Sequence, residues 1–267
     1  MTTIVKASGL KEQFDEEKLR ASVKRAGLPT GIENKVVEHV QSKLYENIPS
    51  QEVYRHVNEF LQQEPHPNAV KYKLKQALME LGPTGYPFED FVSEILKAGG
   101  YSTQTRTILT GKCVSHEIDV IAQKENEKLM VEAKYHNAPG IHTDVHVSLY
   151  TKARFDDLKD KYQFTQPWLF TNTKITPDAL TYALCVGMGV TGWNYPAEEG
   201  LRNLIEKYKL YPVTILSSLS GNQKQLLLEN HFVSIGDILQ NQSCLDLLEI
   251  QNDKKELIIK EVMSISG

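Results

Sequence analysis

The sequence predicts a protein of the α/β (α+β) class, with a mixed sheet between a small, mostly helical N-terminal unit and a helical C-terminal region. Residues 86–195 alternate between helical and strand-like patterns, which is typical of a sheet covered by helices on both faces. The segments before and after it show helical periodicity over most of their length. The sequence Gly-Pro-Thr-Gly at 82–85 is the first strong break, and we place the first domain boundary there.

The composition is that of a soluble globular protein. A length of 267 residues suffices for a full α/β domain and one or two small ones. The formal net charge of −4 excludes a surface that is basic throughout, so any contact with nucleic acid must be local. Cysteines 113, 185 and 244 form no CxxC pair, which argues against zinc ribbons and disulfide frameworks. Since no apolar run reaches 18 residues and no signal peptide is visible, we expect a cytoplasmic protein without membrane contact.

The first segment, residues 1–84, predicts a β-hairpin followed by helices. Two strand-like stretches, 3–6 and 11–14, flank Ser8-Gly9, a pattern typical of a hairpin. Asp15 is the predicted N-cap of the first helix, because acidic residues fill the turn that follows. Further helical patterns cover residues 32–46, 50–63 and 67–81.

The central segment, residues 86–195, predicts the element order α-β-β-β-α-β-α-β. Apolar residues at helical spacing begin at Phe88, and Gly99-Gly100 ends this helix. The elements that follow are strands at 103–109, 115–122 and 129–136, a helix at about 145–160, a buried strand at 168–172, a helix opened by Thr176-Pro177 and a short strand at 190–193.

The third segment, residues 200–267, is predicted to be helical with a turn at Ser220-Gly221-Asn222. Residues 216–224 and 237–239 loosely resemble a helix-hairpin-helix unit, in which amides at a helix N-terminus meet a DNA phosphate. The second glycine of that hairpin is absent, and plain helical packing explains the pattern as well. Both interpretations stay open.

Acidic residues and a lysine on two neighbouring predicted strands are the strongest functional signal. Period-2 alternation places Glu132 and Lys134 on the same face of their strand. A hairpin with the four-residue loop Lys124–Glu127 places Asp119 across from Glu132. Isolated carboxylates at apolar strand positions are unfavourable unless they are paired, and a divalent metal ion is their usual partner in such a cluster.

Glu89 is the predicted fourth member of this cluster. On a helical wheel it lies beside Leu96, at the edge of the apolar stripe, so it can reach over the sheet. Asp90 and Glu94 fall on the polar side of the same helix. Glu89 is therefore the one acid of this helix that we place at the site.

Two histidines are further candidates. His116 shares a strand with Asp119, but strict alternation over three residues places it on the opposite face unless a bulge or the strand end reverses this. His136 shares the face of Glu132 and Lys134. Local hydrogen bonding is the alternative role for both histidines.

The residues Asp119 and Glu132-Ala133-Lys134 resemble the Asp…(Asp/Glu)-x-Lys signature of the PD-(D/E)xK nuclease superfamily. Residues 88–91 ahead of Gly100-Tyr101, together with residues 118–122, are similar to its Mrr-like restriction endonuclease branch. That branch commonly carries Gln where this chain has Glu132. The resemblance covers residues 86–195 and implies a restriction-endonuclease-like αβββαβ core.

The resemblance implies a metal-dependent DNA endonuclease of the restriction type, which hydrolyses phosphodiester bonds and leaves a 5′-phosphate. Asp119 and Glu132 would hold Mg²⁺ or Mn²⁺, with Glu89 coordinating the metal or positioning water. Lys134 would position or activate the attacking water. Hard oxygen ligands suit Mg²⁺, which acidifies its bound water. The implied partner is double-stranded DNA, and double-strand cutting favours a homodimer by symmetry.

Residues 5–9, followed by Asp15 and Lys18, are similar to the front of ATP-cone domains, which are nucleotide-sensing modules. The resemblance implies ATP or dATP as an effector. It places four residues at the nucleotide: Val5, Lys6, Gly9 and Lys18. The family usually has Arg and then Asp or Asn before the glycine, where this chain has Ala7 and Ser8. A fold retained for packing or dimer contacts is therefore the alternative.

Two other functions stay open. A junction resolvase or repair nuclease would use the same residues on branched DNA. A nucleotide-responsive DNA-binding regulator would carry an inactive nuclease core, although the intact acid–acid–lysine set disfavours it. Basic residues on the helix after the catalytic strands are expected to contact duplex DNA, and a solvated helix face explains them about as well: Lys152, Arg154, Lys159 and Lys161.

Overall fold

The structure, a computed structural model, describes residues 2–6, 9–26, 28–63, 69–138 and 140–266. The chain forms two compact units, one that ends at Gln76 and one over Ala77–Ser266. This division precedes the domain boundary that Gly82–Gly85 predicts. The assignment of residues 1–84, 86–195 and 200–267 to three domains stays a prediction.

The first unit contains a small three-stranded sheet in the order β2-β1-β3. The strands are β1 (Thr3–Val5), β2 (Lys11–Gln13) and β3 (Ile48–Pro49). Antiparallel pairing of β1 with β2 confirms the predicted hairpin, whereas the parallel pairing of β1 with β3 was not predicted. Ala7 and Ser8 lie outside the described residues.

Helices follow this sheet, with bounds close to the predicted ones. They are α1 (Glu16–Arg25), α2 (Thr30–Gln41), α3 (Ser50–Gln63) and α4 (Ala69–Met79). Asp15 is the N-cap of α1 and accepts a hydrogen bond from the Lys18 amide, as predicted. The predicted end of the second helix at residue 46 is wrong, because the chain turns through Asn47, with φ of 63°, to pair Ile48 with β1. The predicted start of α4 lies outside the described residues.

The second unit is built on a five-stranded mixed sheet in the order β10-β8-β6-β5-β4. Its strands are β4 (Ser102–Thr110), β5 (Ser115–Lys124), β6 (Glu127–Lys134), β8 (Gln166–Thr171) and β10 (Gly189–Thr191). Strands β4, β5 and β6 are antiparallel, and β6, β8 and β10 are parallel. A second pair, β7 (His142–Thr143) with β9 (Lys174–Ile175), was not predicted.

Helices cover both faces of this sheet, as predicted. They are α5 (Tyr86–Ala98), α6 (Val145–Tyr162) and α7 (Pro177–Cys185). On α5, Ser93 hydrogen-bonds Thr103, whose cross-strand neighbour is Ala122. On α6, Phe155 packs in one cluster with Ile121. Because adjacent residues of a strand face opposite sides, α5 and α6 cover opposite faces.

The turn between β4 and β5 is tied to α6 by one carboxylate. Asp157 accepts hydrogen bonds from the backbone amides of Cys113 at 2.7 Å and Val114 at 3.3 Å. Gly111 lies so close to this carboxylate that an added Cβ would stand 2.0 Å from Asp157 Oδ2. The turn therefore packs on α6 only with glycine at this position.

The C-terminal part of the second unit is helical, as predicted. Its elements are α8 (Leu201–Tyr208), α9 (Gly221–Glu229), α10 (Ile235–Gln240), α11 (Asn252–Ser266) and 3₁₀ helices at Val213–Ile215 and Gln242–Leu248. The predicted turn at Ser220-Gly221-Asn222 is wrong. Ser220 is the N-cap of α9 and forms a capping box with Gln223, a signal that the sequence displays. None of the helices in the described part of the chain combines the length and apolar composition needed to cross a membrane.

We expect Gly111→Ala to lower the free energy of unfolding by about 1–3 kcal/mol, because the new methyl group overpacks the contact with Asp157. Denaturant titration followed by circular dichroism measures this change. Gly221→Ala is the matched control, because nothing lies within 4 Å of its added Cβ. Equal stability of the Gly111→Ala variant and the parent would contradict the packing of this turn.

Candidate functional site

The hairpin of β5 and β6 brings Asp119 next to Glu132. Paired residues run from Val120 with Val131 to Lys124 with Glu127. Beyond this ladder, Asp119 Oδ2 accepts a hydrogen bond of 2.7 Å from the backbone amide of Ala133. The loop is shorter than the predicted four residues, because Lys124 and Glu127 themselves pair. Each strand is one residue longer than predicted at the turn. Because both strands lengthen equally, the pairing around Asp119 is the predicted one.

Strand β5 changes its alternation at Asp119. Ile118 and Ile121 pack in the same cluster against α6, although alternation over three residues would send them to opposite faces. The neighbouring strand β4 is distorted at the matching point, since Arg106 lies in register with Asp119 and has a left-handed φ of 49°. Such an interruption of both strands re-aims their side chains, as β-bulges do. The side chains of β5 therefore change the face of the sheet to which they point at Asp119.

Glu132 is buried and held by two residues of α6. The Tyr150 hydroxyl donates a hydrogen bond of 2.6 Å to Oε1, and the Arg154 guanidinium lies 2.7 Å from Oε2. Arg154 also stacks over the Tyr150 ring, with 5.5 Å to the ring centroid. Tyr150 was not predicted as a site residue, although its spacing of four residues from Arg154 on one helix was a usable signal.

Glu89 reaches the site from α5. Its side chain is buried, and Arg106 Nη1 lies 3.4 Å from Oε2. Arg106 also donates a hydrogen bond of 2.7 Å to Asp90. Within the described residues, donor atoms of Glu89, Asp119 and Glu132 do not all lie within 4.8 Å of one another. The three carboxylates therefore do not all converge on one point.

Burial dominates the electrostatics of these acids. The pKa of Asp119 is raised to about 7, first by burial and then by the charges of Glu132 and Glu89, while the Ala133 amide and Arg154 act in the opposite direction. Burial likewise raises the pKa of Glu89 to about 7, against the charge of Arg106. Buried and half-buried carboxylate oxygens that repel one another form a hard donor set, so these residues fit a divalent ion such as Mg²⁺.

Lys134 lies two residues beyond Glu132 on β6, beside Thr171 of β8. It is half-buried, and its amine makes no hydrogen bond or ion pair with any residue in the described part of the chain. The lysine is therefore a cation two residues from Glu132 that pairs with no carboxylate of the described residues.

The two candidate histidines have local partners. His136 Nε2 lies 3.1 Å from the Thr143 hydroxyl, and burial lowers the pKa of the imidazole. His116 Nε2 lies 2.8 Å from Asp157 Oδ2. This hydrogen bond is the main reason why the pKa of Asp157 is held well below its usual range. His116 faces α6, as Glu132 does, because the alternation of β5 changes at Asp119.

An open pocket lies beside Glu132, between α6 and the β4–β5 turn. It is lined by Cys113, Val114, His116, Tyr150, Arg154 and Asp157. The other basic residues predicted to contact DNA make contacts elsewhere on the protein: Lys152 and Lys159 pair with Asp156, and Lys161 donates to the Thr110 carbonyl. Arg154 alone of these four is seen to contact a residue of the acidic site.

The residues predicted to bind nucleotide lie on the hairpin of the first unit and at the start of α1. Lys6 lies 2.7 Å from Glu12, and Lys18 lies 3.6 Å from the same carboxylate. Val5 ends β1, and Gly9 has a left-handed φ of 80° and donates its amide to the Lys6 carbonyl. Both lysines therefore lie close to the Glu12 carboxylate.

Three family models match the chain. One described as an ATP cone domain matches residues 2–75, and one described as a restriction endonuclease matches residues 82–193. A third, described as AF1548-like, C-terminal, matches residues 211–266. The first two matches fall on the segments in which the sequence showed these two resemblances.

Two relatives resemble the chain over longer stretches. A protein of Archaeoglobus fulgidus, described as uncharacterized, is 47% identical over 125 residues, which cover 47% of this chain and 71% of that protein. A solved structure described as the crystal structure of a protein of unknown function, AF1548, is 36% identical, with a TM-score of 0.60. It covers 69% of this chain, and the match spans 99% of that chain.

We expect Asp119→Asn to raise the melting temperature at about pH 8 and to change it little at about pH 4. The unfolded chain releases the Asp119 proton near pH 4, whereas the folded chain keeps it up to about pH 7. The stability of the parent therefore falls as the pH rises through this window, and the variant lacks this part of the fall. Thermal unfolding without divalent ions measures it.

Asp178→Asn, at an exposed position in the first turn of α7, is the control for this series. Its melting curve across the same pH range should keep the shape of the parent curve. If Asp119→Asn also ran parallel to the parent, the raised pKa of Asp119 would be refuted.

Proposed function

We propose a function for this protein from its family and its domains. It belongs to the AF1548-like family, and it carries an ATP cone domain and a restriction endonuclease domain. The second domain points to a nuclease-type hydrolase. Our finer proposal is a metal-dependent DNA endonuclease of the Mrr-like restriction type, regulated by ATP or dATP. The observation that carries it is the acidic pair of half-buried Asp119 and buried Glu132, two residues before Lys134, whose amine has no partner among the described residues.

In this proposal Asp119 and Glu132 hold Mg²⁺ or Mn²⁺. The bound ion would polarise a phosphoryl oxygen and acidify a water molecule. Glu89 would coordinate the ion or orient a water molecule beside it. Support for a divalent ion comes from the raised pKa of Asp119, since a cation between these oxygens would offset both the burial of the charge and the repulsion from Glu132 and Glu89.

Two cations of the chain would act on the DNA. The Lys134 amine would orient the attacking water and offset charge on the scissile phosphate. Arg154 neutralises Glu132 and also lines the open pocket, so its guanidinium would meet a backbone phosphate there. Water attack at phosphorus would leave a 5′-phosphate and a 3′-hydroxyl.

We expect the purified protein to cut double-stranded DNA with Mg²⁺ or Mn²⁺ and to lose this activity with a chelator. Lys134→Ala should reduce the cleavage rate by about 100-fold or more, because it removes a charge that stabilises the transition state. The variant is structurally mild, since the Lys134 amine has no hydrogen-bond or ion-pair partner within the described residues. Cleavage of supercoiled plasmid, linear duplex and a four-way junction is measured side by side.

Asp119→Asn and Glu132→Gln should also lose cleavage activity. The control variants Asp178→Asn and Lys260→Ala, both at exposed positions, should cut DNA at the rate of the parent. Undiminished cutting by Lys134→Ala would reject the assigned site. Cutting restricted to the four-way junction would instead support a resolvase or repair nuclease. Tight DNA binding without cleavage in any divalent ion would support a regulator.

The proposed nucleotide effector gives a separate prediction. We expect the double variant Lys6→Ala, Lys18→Ala to bind ATP and dATP at least about tenfold more weakly than the parent, because it removes two charge-assisted phosphate contacts. Isothermal titration calorimetry on the full chain measures the affinities. Lys11→Ala, an exposed lysine on β2, is the matched control. Equal affinities of the parent and the double variant would place the nucleotide elsewhere.

A further inference from the structure

Two histidines and a glutamate converge between helices α2 and α3 of the first unit. One donor atom each from His39, His56 and Glu59 lies within 4.8 Å of the other two. Within the described residues, no other set of three or more histidine, cysteine, aspartate or glutamate donors comes this close. The nuclease proposal does not use this cluster, which belongs to the other compact unit.

Helix geometry produces the convergence. His56 and Glu59 are three residues apart on α3 and therefore lie on one face, with His56 Nδ1 2.9 Å from Glu59 Oε2. His39 comes from the last turn of α2. The two helices pack through a core that includes Val36, Val40 and Val57, so the donors stand on a fixed scaffold.

His39 supplies a second, independent observation. Neither of its ring nitrogens hydrogen-bonds a described residue, and Nε2 is buried. A buried polar atom without a partner is unfavourable, and in native proteins it calls for an explanation such as an ion. The ring packs beside Phe60, with 5.5 Å between the ring centroids, so it is held toward the helix interface.

The chemistry of the donors selects the kind of ion. Imidazole nitrogens with a carboxylate suit Zn²⁺, whereas the all-oxygen set at Asp119 and Glu132 suits Mg²⁺. His56 is also flanked by a second carboxylate, with Glu52 Oε1 3.8 Å from Nε2. A carboxylate behind a ligating histidine is the usual device that orients its ring.

We propose that His39, His56 and Glu59 bind Zn²⁺, or another late first-row divalent ion with the same ligand preference. The ion links α2 to α3 and leaves a fourth position for water. Zinc bonds to nitrogen and oxygen are about 2.0–2.2 Å long, so donors around one ion lie about 3–4 Å apart. Donors that already lie within 4.8 Å of one another are close to this arrangement.

The test uses the full chain carrying Asp119→Asn, a substitution that weakens the proposed nuclease metal site. In this experiment that protein is the parent into which the further substitutions are introduced. After chelator treatment, calorimetry with Zn²⁺ should show one tight site per chain, and Co²⁺ should give the absorption bands of a tetrahedral nitrogen-ligated ion. His39→Ala should weaken Zn²⁺ binding by more than about 100-fold, because loss of even an outer-shell partner costs about 10–100-fold. Excess Mg²⁺ should not compete.

His146→Ala is the matched control, since this exposed histidine lies in the other unit. It should bind Zn²⁺ like the parent. Zn²⁺ should raise the melting temperature of the parent and the control but not that of His39→Ala. Glu59→Gln, which keeps the side-chain shape, provides a second test if His39→Ala fails to fold. Absence of Zn²⁺ binding by the parent, or unchanged binding in the variants, overturns the proposal.

Discussion

The convergence of acids from both faces of one sheet depends on a change of alternation at Arg106 and Asp119. In a regular sheet, a side chain on α5 and one facing α6 are separated by the full thickness of the strands. Here Ile118 and Ile121 both face α6, and the backbone of Arg106 is left-handed. The displaced residues bring Asp119 within electrostatic reach of Glu132 on one side and of Glu89 on the other. A strained backbone at such a point is typical of functional sites.

The charges of this region are not fully balanced. Glu89, Asp119 and Glu132 face the two guanidinium groups of Arg106 and Arg154, and burial raises the pKa of two of the three acids to about 7. Carboxylates with raised pKa values destabilise the fold at neutral pH. Carboxylates that lack a full set of charged partners are expected at functional sites, where a bound ligand supplies the missing charge.

Local patterns in the sequence predicted the features that depend on short stretches of chain. The hairpin of β5 and β6 and its register follow from alternation and a tight turn, and the cap of α1 follows from Asp15. Features that depend on distant pairing were missed: β3 forms only because Ile48 meets β1, and this shortens α2. The face of His116 was left open, because it depends on a change of alternation in β5 that the sequence pattern alone does not locate. The partners of Glu132 were missed, because they depend on how α6 packs on the sheet.

The C-terminal region contributes to the charge balance around α5. His231, between α9 and α10, places Nδ1 2.8 Å from Asp90 Oδ2, and Asp90 holds Arg106 through its other oxygen. Arg106 in turn lies beside Glu89, so a chain of polar contacts runs from the C-terminal helices to the edge of the acidic site. Because Asp90 anchors Arg106, it holds the guanidinium in place beside Glu89. The C-terminal region is therefore connected to the edge of the site by polar contacts through α5.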